Sequence, residues 1–322
     1  MSEESARIQS RLIRDLEPVV AIELERHLSV QKNWYPHEYV PWSEGRDYAG
    51  PLNGDAWEAK DSRLTPVAQD SLVLNLLTED NLPSYHTEIA LSMGRDGAWG
   101  TWIERWTAEE ARHSIVIRDY LMATRGVDPY ELEDLRMAHM SLGYATPYEN
   151  DMLHTIAYVS FQELATRISH RNTGKLSDEP IAEGMMQRVS LDENLHMLFY
   201  RNTLAAALDM EPNAAMRAIT DVVTNFDMPG ANMPGFGRKA VQIALAGIYD
   251  LQQHLDDVVA PVLRAWKIFE RNDLTGDGLK ARDELKAFMD ETYKAAATFN
   301  DKREVHFERQ IARGIQPIRI TN

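Results

Sequence analysis

Two copies of Glu-x-x-His stand in the chain, Glu110-Ala111-Arg112-His113 and Glu193-Asn194-Leu195-His196, and each has a further glutamate upstream at nearly the same distance. Glu79 lies 31 residues before Glu110, and Glu163 lies 30 before Glu193. Residues three apart on a helix share a face, so each motif can offer a carboxylate oxygen and an imidazole nitrogen to one centre. A Glu from each of two helices, with a Glu-x-x-His from each of two others, is the inward-facing ligand set of a carboxylate-bridged metal pair in a four-helix bundle. The candidate ligands are therefore Glu79, Glu110, His113, Glu163, Glu193 and His196. Imidazole disfavours Mg or Ca, and carboxylates without sulfur favour Fe or Mn over Zn, so two iron ions per chain are expected. A lone Glu-x-x-His is usually a solvated helix face; the doubling and the matched upstream spacing set this pair apart.

Four long helices must position these groups. The apolar stripes predicted for them run through the candidates: Leu72, Leu76, Glu79, Pro83, His86, Ala90; then Trp99, Ile103, Trp106, Glu110, His113, Ile117, Leu121; then Met152, Ile156, Val159, Glu163, Thr166, His170; and finally Met186, Val189, Glu193, His196, Tyr200, Thr203. Ionised carboxylates on buried faces are costly unless paired or metal-bound, so four inward glutamates need cationic compensation. Pro83, four residues after Glu79, removes a backbone donor and predicts a kink or a loosening of that helix. His86 and His170 share the stripes but have no Glu three residues before them, and read as core groups or as supports behind the ligands. The pattern predicts an all-α fold and a single domain over residues 1–322, with the core bundle at about 67–207. Before it come one helix near Leu12 to Leu28 and a Pro-rich irregular segment to residue 65. After it come a Pro/Gly loop over residues 228–237, further helices in Val241 to Phe269 and Ala281 to Phe299, and a tail.

Composition narrows the function classes. The 322 residues are 44% hydrophobic and 26% charged, enough for a sizeable core. Zero Cys excludes thiolate metal sites, iron–sulfur clusters, disulfides and a Cys nucleophile. A net charge of −16 argues against nucleic acid as partner and means that an acidic protein partner could dock only on a local Lys/Arg patch. No apolar run reaches bilayer-spanning length and no signal peptide is evident, so a cytoplasmic protein is expected.

The stretch Trp106-Thr107-Ala108-Glu109-Glu110-Ala111-Arg112-His113, with Leu77-Thr78-Glu79-Asp80-Asn81-Leu82-Pro83 upstream, resembles the soluble acyl-carrier-protein desaturases of plant plastids and actinobacteria. Ser160-Phe161-Gln162-Glu163, Asp192-Glu193-Asn194-Leu195-His196 and Asn33-Trp34-Tyr35-Pro36 extend the likeness, which covers most of the chain more weakly. The resemblance implies a ferritin-like bundle with additional packed helices, and the six candidates as di-iron ligands with Glu110 and Glu193 bridging. It implies insertion of a cis double bond into a fatty acyl chain carried on acyl carrier protein, in fatty acid biosynthesis, using O2 and electrons from ferredoxin. A homodimer is implied in the same way. Thr166 matches a family Thr thought to assist proton delivery, although a helical Thr also bonds readily to its own preceding turn. Trp34 and Asp192, with His113, match a proposed electron path, and Asp192 also suits the carboxylate that a metal-bound imidazole commonly needs. Ala111 in place of Asn, Ser114 in place of Gly, and Asn194-Leu195 in place of Lys-Arg depart from the plant pattern. None of these is a ligand, so the departures bear on substrate fit and docking.

Other patterns are weaker. Asp273 to Gly278 followed by Glu284 fits a relaxed EF-hand loop, but Thr stands at position three and Lys280 where an apolar residue is usual. Gly235-Phe236-Gly237 lacks a preceding strand and a third glycine. The radical-bearing subunit of ribonucleotide reductase typically has Tyr four residues after its first ligand His, where this chain has Ile117. Alternatives to the desaturase are a di-iron ferroxidase or iron-binding protein, whose chains are about half this length, and a desaturase relative with altered, hydroxylase-like activity.

Overall fold

Three of the long helices begin at a capping side chain followed by proline, whose missing N–H costs nothing in a first turn. Thr65 Oγ1 accepts from the Ala68 amide ahead of helix α2, Pro66–Asp80. Asp128 caps α5, Pro129–Leu142, and Glu179 caps α7, Pro180–Met210, by accepting from the Ala182 amide. Pro212 opens α8, Pro212–Thr224, in the same first-turn position. In the computed structural model, which describes residues 3–144, 146, 148, 151–228 and 236–320, the remaining long helices are α1 (Glu3–Val30), α3 (Leu82–Met93), α4 (Gly97–Ala123), α6 (Met152–Ser177), α9 (Phe236–Leu245) and α12 (Gly276–Ala312). No strand occurs among the described residues beyond an isolated bridge between Tyr48 and Asp55. The all-α expectation holds.

Helices α2, α4, α6 and α7 carry the six candidate ligands and pack against one another, with α1 laid across α4 and α7. The α6–α7 hairpin turns on Asp178, in the left-handed region at φ 52°, so the two helices run antiparallel with almost no connection between them. Gly174 makes their close approach possible, because a Cβ there would meet Met186 Cβ at 3.0 Å and Glu183 Cα at 3.1 Å. The core continues around the site through the fully buried Trp99, Trp102, Phe161, Phe199 and Tyr200, with the Trp102 and Phe199 rings stacked 3.6 Å apart.

Two expectations change. Pro83 does not bend a continuous helix; α2 ends at Asp80 and α3 starts afresh at Leu82, so Pro83 sits in a first turn. A proline there cannot donate to the Glu79 carbonyl four residues back and clashes with it, and ending the helix removes the conflict. Glu79 consequently lies in the last turn of α2. The segment from Val241 to Phe269 is likewise divided: α9 stops at Leu245, Gly247 turns at φ 76°, and Asp250 caps α10, Leu251–Gln253, which passes through a π-helical stretch, His254–Val259, into α11, Ala260–Ala265. Residues 229–235 of the Pro/Gly loop lie outside the described residues. The relaxed EF-hand pattern is no cation loop. Helix α12 starts at Gly276 inside it, Asp273 pairs with Arg271 at 2.5 Å, and Glu284 pairs with Arg217 at 2.6 Å.

Candidate metal centre

The six predicted side chains converge inside the bundle, and every one is buried. They form two overlapping groups, Glu79, Glu110, His113, Glu193 and Glu110, Glu163, Glu193, His196, in each of which the potential ligand atoms lie within 4.8 Å of one another. Glu110 and Glu193 belong to both. His113 Nδ1 faces Glu110 Oε2 at 3.2 Å, Glu193 Oε1 at 3.3 Å and Glu79 Oε2 at 3.6 Å. On the other side His196 Nδ1 faces Glu110 Oε1 at 2.6 Å and Glu163 Oε2 at 3.6 Å. For metal–ligand bonds of about 2.1 Å, neighbouring ligands of an octahedral ion stand roughly 3 Å apart, so these separations suit ligands around a cation.

Hydrogen bonding gives an independent test of the fit. His113 Nδ1, His196 Nδ1, Glu110 Oε1 and Glu163 Oε2 are buried with no hydrogen-bond partner among the described residues, and all four are turned into the cluster. Buried polar atoms are normally satisfied, so four such atoms aimed at common points mark places for cations. Oxygen and nitrogen donors with no sulfur suit iron or manganese. The residues present fit a pair of such ions, with Glu79 and His113 on one, Glu163 and His196 on the other, and Glu110 and Glu193 between them.

The supporting groups separate into those the sequence indicated and those it did not. Asp192 receives Trp34 Nε1 at 2.7 Å and Arg112 Nη2 at 3.2 Å, is bonded by Arg188, and lies 3.5 Å from His113 Nε2. It therefore backs His113, and the Trp34 ring is stacked over that same imidazole at 6.3 Å. Thr166 donates its hydroxyl to the carbonyls of Gln162 at 3.1 Å and Glu163 at 3.0 Å, a bond within its own helix. His170, read as a supporting group, places Nε2 at 2.9 Å from Glu79 Oε1 and 3.2 Å from Glu193 Oε1. His86 bonds to Thr107 Oγ1 at 2.7 Å instead. Trp106 Nε1 donates to Glu163 Oε1 at 3.1 Å. The sequence reading passed over Glu109 and His27. Glu109 Oε2 lies 2.9 Å from Nε2 of both His196 and His27, and Arg105 holds its other oxygen. Glu109 precedes a ligand just as Asp192 does, and that parallel was the available signal.

Charge in the metal-free cluster follows from the same contacts. Burial disfavours the imidazolium of His113 and of His196, yet the surrounding carboxylates, Glu110 foremost, hold both rings well above the ordinary histidine value. His170 is raised to about 9 against its own burial by Glu193 and Glu79. Burial, reinforced by the charges of Glu110 and Glu193, lifts Glu163 well above the ordinary carboxylic acid value. For the two imidazoles, raised values mean protons are bound at neutral pH, and a metal must displace those on His113 Nδ1 and His196 Nδ1. Loading is thus expected to release protons and to tighten as pH rises through neutrality. Titration with ferrous iron in buffers of different ionisation enthalpy measures the release, and metal uptake without it would refute the charge assignment.

Glu79, Glu110 and Glu163 also form one wall of a cavity otherwise lined by Leu82, Tyr85, Ile89, Trp106, Thr155, Tyr158 and Val159, among others. Along α6 the lining residues Thr155, Val159 and Glu163 recur every four residues, so the cavity climbs about 12 Å from the carboxylates at 1.5 Å per residue. No helix among the described residues is long and apolar enough to cross a membrane.

Comparison with known proteins gives concordant results. A family profile described as fatty acid desaturase matches residues 9–315. A Mycobacterium tuberculosis protein, provisionally named acyl-carrier-protein desaturase DesA1, is 52% identical over 311 residues, spanning 94% of this chain and 90% of that protein. An Arabidopsis thaliana chloroplastic stearoyl-acyl-carrier-protein 9-desaturase is 27% identical over 80% of this chain and 68% of its own length. The X-ray structure of the related DesA2 from M. tuberculosis superposes with a TM-score of 0.69 at 30% identity, covering 86% of this chain and 99% of that one.

Proposed function

The chain belongs to the fatty acid desaturase family, and from that premise we propose that it is an oxidoreductase that inserts a cis double bond into a fatty acyl chain carried on acyl carrier protein. The observation that supports this most is the wall shared by Glu79, Glu110 and Glu163 between the buried cluster and the apolar cavity. A ligand set alone suits iron storage equally well. Opening it onto an elongated, mostly apolar space suits the oxidation of an unactivated hydrocarbon.

Two iron ions held by the six residues would supply the redox chemistry, with O2 as oxidant and a ferredoxin as electron donor. The remaining work falls to the chain. Leu82, Ile89, Trp106 and Val159 bind the acyl chain and exclude water, while the thioester stays with the carrier outside. Confinement fixes one pair of methylenes beside the carboxylate wall, and this positioning replaces acid–base activation of a C–H bond. Trp106 orients Glu163 through its indole N–H, and His170 keeps a proton on Nε2 between Glu79 and Glu193. Trp34 bonds to Asp192 and stacks over His113, whose Nε2 lies 3.5 Å from that carboxylate, and along this buried line electrons would enter. Thr166 could pass a proton inward only after its hydroxyl leaves the two carbonyls it now bonds. A second copy of the chain completes the proposed assembly.

The test supplies ferrous iron, a mixed-length acyl-carrier-protein pool, ferredoxin with its reductase, NADPH and air, and then weighs the acyl chains. Loss of two hydrogens from a chain is expected. Gain of one oxygen would make the enzyme a hydroxylase, and oxidised iron with every chain unchanged would favour iron handling.

A further inference from the structure

The two Glu-x-x-His motifs are each preceded by a carboxylate, and the two carboxylates cross over. Asp192, on α7 beside the second motif, backs His113 of the first; Glu109, on α4 beside the first, backs His196 of the second. Each carboxylate is then fixed by a ring from the N-terminal part of the chain. Trp34 donates to Asp192 at 2.7 Å, and His27, on α1, bonds Glu109 at 2.9 Å. Each of these rings also lies nearly parallel to the imidazole it serves. Trp34 is 6.3 Å from His113 with 13° between the planes, and His27 is 5.8 Å from His196 with 24° between them.

We propose that His27 is a positioning residue of the metal centre, fixing the ring orientation and tautomer of His196 through Glu109. For His196 to present a lone pair at Nδ1, its hydrogen must sit on Nε2, and that hydrogen needs an acceptor held in place. Glu109 is that acceptor, but Arg105 also pulls on it at 2.5 Å from a site 32% exposed. His27 opposes the pull. It is fully buried, meets the edge of Trp102 at 5.0 Å, and directs its Nε2 at the same oxygen that His196 uses. Without this second donor the carboxylate is free to turn toward Arg105, and His196 loses its fixed acceptor. His27 lies outside the four ligand-bearing helices, so the arrangement also makes α1 part of the centre.

The inference rests on the reading that the cluster binds two metals, and the test separates the two. His27→Phe fills the space without a donor, while His27→Gln retains an amide donor. With 57Fe-loaded protein, His27→Phe is expected to weaken one of two irons by 10- to 100-fold, the usual cost of losing an outer hydrogen-bond partner, and to shift one of two Mössbauer doublets. His27→Gln should restore most of the affinity, and Trp34→Phe should shift the other doublet. If His27→Phe does not fold, Glu109→Gln should give the same one-sided loss. Equal weakening of both irons, an unaltered His27→Phe protein, or a Gln variant no better than Phe would reduce His27 to a packing residue. A wild-type chain that takes up no iron would overturn the metal reading as well, whereas two irons bound with equal affinity and unshifted doublets in wild type and in His27→Phe alike would overturn this inference alone.

Discussion

Glu110→Ala is expected to lose both metals together, whereas Glu79→Ala and Glu163→Gln each weaken mainly one. Glu110 belongs to both ligand groups, while Glu79 and Glu163 belong to one each. Removing even an outer partner of a metal ligand costs 10- to 100-fold in affinity, so loss of a shared ligand should cost at least about 100-fold at both positions and abolish turnover. Folding must be checked beside the iron count: burial and the Glu193 charge oppose the Glu110 carboxylate, but His113 and His196 hold it below the ordinary carboxylic acid value, so its removal leaves those two rings less compensated in the metal-free protein. Glu163→Gln is the sharper control, because burial and its charged neighbours favour the neutral form of the Glu163 carboxyl and a neutral amide of the same shape replaces it. Its metal-free unfolding midpoint should match wild type while iron on its side weakens. Iron quantified per folded chain, with helicity checked in parallel, decides the matter, and a Glu110→Ala protein that still holds two irons would remove the shared carboxylate from the account.

Val159→Phe is expected to cut kcat/KM for the longest accepted acyl chains by more than tenfold while leaving the iron count unchanged. Val159 lies one helical turn from Glu163 on the cavity wall, so a larger ring there projects into the space assigned to the substrate. Excluding about two methylenes forfeits about 1.6 kcal/mol at about 0.8 kcal/mol each, which exceeds the 1.4 kcal/mol equivalent to a factor of ten. Shorter chains that never reach this level should lose little, so preference moves toward them. Competition between long and short acyl-carrier-protein substrates in one reaction measures the shift directly. Equal losses for every length would place the acyl chain elsewhere.

Periodicity makes some of this molecule legible from sequence and long-range packing hides the rest. A three-residue spacing on a helix fixes two side chains to one face whatever the tertiary fold, so the doubled motif with its upstream glutamates indicated both the four helices and the six converging side chains. His170 could be placed on the same stripe as Glu163, though its position between Glu79 and Glu193 depends on three helices meeting. Glu109 stands before Glu110 as Asp192 stands before Glu193, a parallel open to the sequence, but its partners are 82 and 87 residues distant in the chain and only the packing reveals them. The same limit concealed His27, which reads locally as one more polar residue on an N-terminal helix. Proline chemistry was visible but its outcome was not: Pro83 signalled a disturbance after Glu79, and only the packing of α3 decides that the helix ends rather than bends. Gly247 divides the later segment for a similar reason, since a single glycine in a helical pattern is often tolerated.

Anomalous scattering at the iron edge from iron-soaked crystals decides whether two metals share Glu110 and Glu193 inside the bundle. Two peaks flanked by those two carboxylates are expected, one within bonding distance of Glu79 and His113 and the other within bonding distance of Glu163 and His196. A single peak, or a peak between His27, Glu109 and His196, the other buried group among the described residues able to surround an ion, would contradict it.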